Sequence, residues 1–207
     1  QLSINSAVSN NISIALKITG SLNTSALAQS LKAILERHEI LRTTYQAIAG
    51  EPMQIINPIG DWQLEIIDLQ DLSALEQVQE VERLTQAQAC QPFNLEKDLL
   101  LRSTLLQLQR NEYLLLLTLH HIAVDAWSIG IFFRELSRFY AAFAKGEPSP
   151  LESLPIQYAD FAIWQRQYMK GKVLEEDLAY WKQQLHHAPD LLSLPCDRPR
   201  PAVQSFT

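Results

Sequence analysis

Residues 113–119, Tyr-Leu-Leu-Leu-Leu-Thr-Leu, form an almost wholly apolar run that carries large apolar side chains at both alternating positions. A strand of this kind has no face to offer to water, so it must lie inside a sheet that is covered on both sides. It is far too short to cross a bilayer, which takes about 20 apolar residues in a helix. The run ends on His120-His121, and Asp125 follows four residues later. Histidine is the side chain best suited to moving protons near neutral pH. Strand ends and the loops after them are where rigid scaffolds present chemistry.

The rest of the chain supplies partners for that strand. Residues 101–109 precede it across Arg110-Asn111-Glu112 and predict a hairpin. Residues 12–18, Ile-Ser-Ile-Ala-Leu-Lys-Ile, alternate as a half-buried strand does. Residues 42–57 predict two strands joined at Ala49-Gly50-Glu51-Pro52, and Gln63 to Leu69 predict one more. Asn23-Thr24-Ser25 offer caps to a helix running to about His38, with Leu27, Leu31, Ile34 and Leu35 on one face. Ser73 with Glu76 three residues later reads as a capping box for a polar helix to about Ala89. A helix from about Trp127 to Lys145 carries Ile131, Phe132, Glu135, Leu136 and Phe139 in periodic order, with Gly146 as its stop. Two more helices are predicted, near 157–170 and 173–187, before a proline-rich extended tail, Leu194-Pro-Cys-Asp-Arg-Pro-Arg-Pro201. Strands mixed with helices define an α/β class, an α+β layered sandwich with a mixed sheet covered by helices.

Composition narrows the function. With 47% hydrophobic and 19% charged residues the chain is a globular one. Its net charge of −6, with scattered Lys and Arg, argues against a nucleic-acid partner. Cys90 and Cys196 lie far apart with no CxxC pattern, so they read as reduced thiols of a cytoplasmic protein rather than a zinc site or disulfide framework. No signal peptide or membrane span is evident. The ends read as cut, as in a piece of a longer polypeptide.

Three constellations carry the functional argument. His120, His121 and Asp125 admit a catalytic reading, one His acting as a general base while the Asp holds local geometry. They also admit a structural reading, and a weaker metal reading: neighbouring strand residues point to opposite faces, so the two histidines are poorly placed to share an ion. No GxSxG elbow or glycine-rich phosphate loop is present. Arg37-His38-Glu39-Ile40-Leu41-Arg42-Thr43-Thr44-Tyr45 reads either as a solvated helix end or as the source of an Arg for a buried carboxylate, Asp125 being the obvious candidate. Tyr158 to Arg166, with Tyr168, Tyr180 and Trp181, places aromatics at helical spacing, which more often fill a core than stack on a ligand.

Together these stretches resemble the condensation domain of nonribosomal peptide synthetases. His120 to Ala126 matches that family's HHxxxDG motif, Arg37 to Tyr45 its RHxxLRTxF-like motif, and Tyr158 to Gln165 its YxDFAxWQ-like motif. The tail resembles the family's LPxDRPRP segment. The resemblance spans residues 1–207 as the N-terminal lobe of that domain, chloramphenicol acetyltransferase-like, with the first aromatic motif upstream and the C-terminal lobe missing. Two departures stand out: Ala126 replaces the Gly after the Asp, leaving either an ordinary backbone or a narrowed acceptor path, and Tyr45 replaces Phe. The presence of both His residues disfavours the cyclising subfamily, whose motif begins with Asp.

The resemblance implies amide formation between a donor acyl or peptidyl thioester and an acceptor aminoacyl thioester, each on the phosphopantetheine arm of a carrier protein, with no directly bound cofactor and no metal. His121 would position or deprotonate the acceptor amine. His120 would be structural, and so would Asp125, in an ion pair with Arg42 (Arg37 being the second choice). Ala126, Trp127 and Ser128 are candidates for the tunnel wall, with a helix-cap role the simpler one for Ser128. The implied partners are carrier proteins, an adjacent adenylation domain and the missing lobe, and the lobe alone is expected to be inactive. Two rival readings are a non-catalytic docking domain of the same fold and a stand-alone coenzyme A-dependent acyltransferase.

Overall fold

The computed structural model describes residues 10–189, 195, 197 and 198. The chain divides into two compact units, Gln1–Gln157 and Tyr158–Thr207. In order, the first contains β1 (Asn11–Thr19), α1 (Thr24–Arg37), a 3-10 turn (Glu39–Arg42), β2 (Thr43–Ile48), β3 (Glu51–Ile56), β4 (Glu65–Asp68), α2 (Ala74–Cys90), β5 (Leu101–Gln109), β6 (Glu112–His120) and α3 (Ala126–Phe143). The mixed sheet runs β1-β6-β5-β4, with β4–β5 parallel and the other pairs antiparallel, and β2–β3 form a separate hairpin.

The apolar run behaves as its composition requires. β6 lies between β1 and β5, and residues 113–120 are buried except Leu114, which is half-buried. Its odd-numbered side chains, Tyr113, Leu115, Leu117 and Leu119, join Leu27, Leu31, Ile34 and Leu35 of α1 and Phe132, Leu136 and Phe139 of α3 in the main core. On the opposite face, Leu116 packs with Leu69, Leu106 and the α2 residues Val81 and Leu84. Polar bonds also tie down α2 and its C-cap: Gln88 donates to Thr118 Oγ1 (3.1 Å), and Asn11 donates to Ala89 O (2.8 Å) and to the C-cap Gln91 O (2.9 Å).

Local signals set the element ends. Asn23 caps α1 by accepting from the Ala26 amide, and Ser73 and Glu76 form the expected capping box on α2. Gly146, at φ 73°, follows α3 in the left-handed conformation that ends helices. The predicted strand at Gln63 to Leu69 shrinks to Glu65–Asp68. Cys90 is an exposed free thiol, while Cys196 and most of the proline-rich tail fall outside the described residues.

The second unit holds α4 (Tyr158–Tyr168) and α5 (Gly171–Leu185). Tyr158, Phe161, Trp164 and Tyr168 follow one another along α4 with ring centroids 5.9, 5.7 and 5.3 Å apart, the first two pairs tilted and the last stacked. The expectation that they fill a core is corrected, for all four are exposed.

Candidate active site

The end of β6 is held from both sides. The His120 amide donates to Leu100 O (3.3 Å) and the His121 amide to Asn10 O (2.8 Å), while Leu100 itself donates to Leu41 O (2.8 Å). The chain then turns sharply, with the Ala123 amide on His120 O (2.9 Å), and enters α3 at Ala126. The two histidines are thereby sorted.

His120 lies on the α2 side of the sheet and is only 7% exposed. Its Nδ1 accepts from the Ile122 amide (3.0 Å), and its ring stands perpendicular to Phe93 at 5.6 Å. Burial first, then the neighbouring His121 and Arg102, push its pKa below the ordinary histidine value, so it is neutral at pH 7. His121 is exposed, and its side chain makes no hydrogen bond or ion pair among the described residues. Its imidazole is open to solvent.

Asp125 is the N-cap of α3. Its Oδ1 accepts from the Ser128 amide (2.8 Å) and lies 2.7 Å from the Ser128 hydroxyl, which accepts in turn from the Asp125 amide (2.7 Å). The Ser128 amide, then its hydroxyl, hold the carboxyl below the usual carboxylate range. This corrects the expected Asp125–Arg42 ion pair and its Arg37 alternative. The exposed Asp125 carboxylate has no buried charge that calls for an Arg, and Ser128 occupies it. Arg42 instead donates to Asn57 O (2.8 Å) and Glu39 (3.3 Å). Arg37 donates to Glu135 (3.1 Å) and to Glu152 O.

Glu135 is the residue that sequence reasoning placed on a helix face without giving it a role. It is 8% exposed and binds both Arg37 and His38, whose Nε2 lies 2.6 Å from its second oxygen. The second motif therefore fastens the end of α1 to α3, the helix that the His121 loop enters. Phe93 and Arg102 were missed as well. Arg102 lies 3.8 Å above the Phe93 ring.

Ala126 is helical with ordinary negative φ, so the Gly it replaces is not needed for backbone conformation here. Trp127 projects beside it, 82% exposed. No cluster of three metal-ligating side chains occurs among the described residues. No described helix is long and apolar enough to cross a membrane.

The site thus belongs to a mixed α/β lobe, in which inner strand β6 is followed directly by an exposed histidine, His121, just ahead of the N-cap of α3. The chain belongs to the condensation-domain family, whose model matches residues 2–207. A linear gramicidin synthase from Brevibacillus parabrevis is 48% identical over 206 residues, covering 100% of this chain and 4% of that protein. Chondramide synthase cmdD of Chondromyces crocatus is 41% identical over 200 residues, 97% of this chain and 5% of that one. The X-domain from teicoplanin biosynthesis superposes with a TM-score of 0.81 at 28% identity, covering 97% of this chain and 46% of that one. The starter condensation domain of the rhizomide synthetase RzmA shares the fold, with a TM-score of 0.78 at 19% identity over 88% of this chain and 44% of that one. The chain thus spans a few percent of these synthases and under half of the solved domains.

Proposed function

We propose that this lobe carries the histidine side of an amide-forming site, in which an acceptor aminoacyl thioester attacks a donor acyl or peptidyl thioester. Both substrates arrive on phosphopantetheine arms of carrier proteins, an adjacent adenylation domain loads one of them, and the second lobe closes the site, all in the cytoplasm. The observation that carries this reading is the sorting of the histidines: one buried and bonded to the backbone, the other exposed and available.

The chemistry follows from the acceptor's charge. A free α-amine has a pKa of about 7.7–8.0, so much of it is protonated and non-nucleophilic at neutral pH. His121 accepts a proton from the amine as the nitrogen attacks the thioester carbonyl. The C–N bond forms, the C–S bond breaks, and the proton passes to the leaving thiolate. Holding two tethered reactants together supplies much of the rate. Asp125 and His120 shape the turn, and Trp127 offers an apolar wall beside it.

In the intact condensation domain, His121→Ala should nearly abolish peptide formation between loaded carrier proteins while leaving the melting curve unchanged. Undiminished product would overturn the role given to His121. A second reading, docking without catalysis, draws on the likeness to the teicoplanin X-domain, a domain also seen in a complex with OxyB. It requires the His121 variant to retain every function of the domain.

A further inference from the structure

We infer that Phe93 and Arg102 are positioning residues, a clamp that fixes the His120 ring so that its Nδ1 holds the Ile122 amide and sets the turn presenting His121. The functional side of this inference rests on the role proposed for His121. The clamp itself rests on geometry.

Arg102 extends from β5 across from Thr118. Its Nη1 donates to Gln91 O (2.7 Å), and its Nη2 donates to Pro92 O (2.8 Å) and Asp98 Oδ2 (3.0 Å). Asp98 Oδ2 also accepts from the Asn94 amide (2.9 Å), and the Tyr45 amide anchors the same segment through Leu95 O (2.8 Å). The guanidinium thus gathers residues 91–98 around itself, with Phe93 against its face. A planar fork can do this and a point charge cannot.

Phe93, buried, presents its ring perpendicular to His120. A neutral imidazole has one donor and one acceptor nitrogen, so accepting from Ile122 at Nδ1 places the proton on Nε2. An imidazolium has no acceptor and would release the Ile122 amide. Burial and the charged guanidinium both oppose that protonation. The groups facing His120 that carry or can take charge are His121 and Arg102, with Asp98 bound to the latter. Without the ring of Phe93, the imidazole could rotate and change tautomer, and the turn would lose the bond from the Ile122 amide to the ring, keeping only its backbone bond from Ala123 to His120 O.

The test uses the full condensation domain with selectively 15N-labelled histidine. In the wild type, His120 should show an acceptor Nδ1 and a protonated Nε2. A proton on Nδ1 overturns the clamp without any variant. Phe93→Leu and Arg102→Lys should each mix the tautomers and lower kcat for amide formation by about 10–100-fold, the scale of small displacements in a reacting geometry. KM for the carrier proteins should stay unchanged. A single Nε2–H tautomer with unaltered kcat in both variants overturns the inference. Mixed tautomers in these variants, alongside a fully active His121→Ala, would uphold the clamp and sink the role given to His121.

Discussion

Replacing Glu135 tests how the second motif works. Its carboxylate sits on the core side of α3 and bonds Arg37 at 3.1 Å and His38 at 2.6 Å. Side-chain exposure is 11% for Glu135, 15% for Arg37 and 23% for His38, so water can replace little of what is lost. Removing one partner of a buried ion pair typically costs about 3–5 kcal/mol, because the other charge stays buried and unpaired. Arg37 keeps its bond to Glu152 O, which favours the lower end, about 3 kcal/mol for Glu135→Leu. In a chain of this size that is a fall in Tm of roughly 6–12 °C by calorimetry. Glu135→Gln keeps an acceptor for one donor and should fall less. The combined variant Arg37→Met, His38→Gln, Glu135→Leu should recover much of the loss, since apolar residues of similar volume can replace buried ion pairs at little cost. A Glu135→Leu melting curve that overlays the wild type, or a combined variant whose loss is the sum of its parts, would refute the clasp.

Other substitutions separate neighbouring roles. Asp125→Asn should keep the melting temperature, because Asn caps helices as well as Asp does, whereas Asp125→Ala should lower it; equal losses in both would mean that the charge matters more than the cap. The depressed pKa of His120 means that the unfolded chain takes a proton before the folded one as pH falls through about 6.5, so this stability is present above that pH and lost below it. Urea midpoints at pH 7.5 and 5.5 should therefore differ less in His120→Gln than in the wild type, and an equal drop would count against a buried neutral imidazole. Leu117→Ala, at a fully buried position in β6, should destabilise by about 2–5 kcal/mol in the same assay. Trp127→Ala should stay within about 0.5 kcal/mol of wild type, as exposed sites do, so any lost peptide formation would reflect the site rather than the fold.

What was legible in the sequence was whatever local physics decides. An apolar run without a polar face must be central, and β6 is. Caps at Asn23 and Ser73 are local bonds between residues three apart, and both form where read. Alternation along a strand separates neighbours, and His120 is buried where His121, just past the strand end, is exposed. The ion-pair assignments needed long-range information. Asp125 to Ser128 has the spacing of a cap, and the competing idea of an Arg partner depended on burial that the turn does not provide.

The missed residues did leave a trace. Glu135 falls among Phe132, Leu136 and Phe139, so its carboxylate had to be buried with a cation. The sequence holds an RH pair at the end of a helix whose apolar face needed a partner helix. Assigning Arg37 and His38 to the one acid known to be on a core face, rather than to the acid nearest the histidines, would have found the clasp. Arg102 was visible in a weaker way, as a cation near the start of a strand that carries Leu101, Leu105, Leu106 and Leu108. Its target was not: Phe93 lies in an irregular segment with no periodicity to aim it. The structure supplies that link by folding residues 91–98 around the guanidinium, which brings Phe93 against the His120 ring.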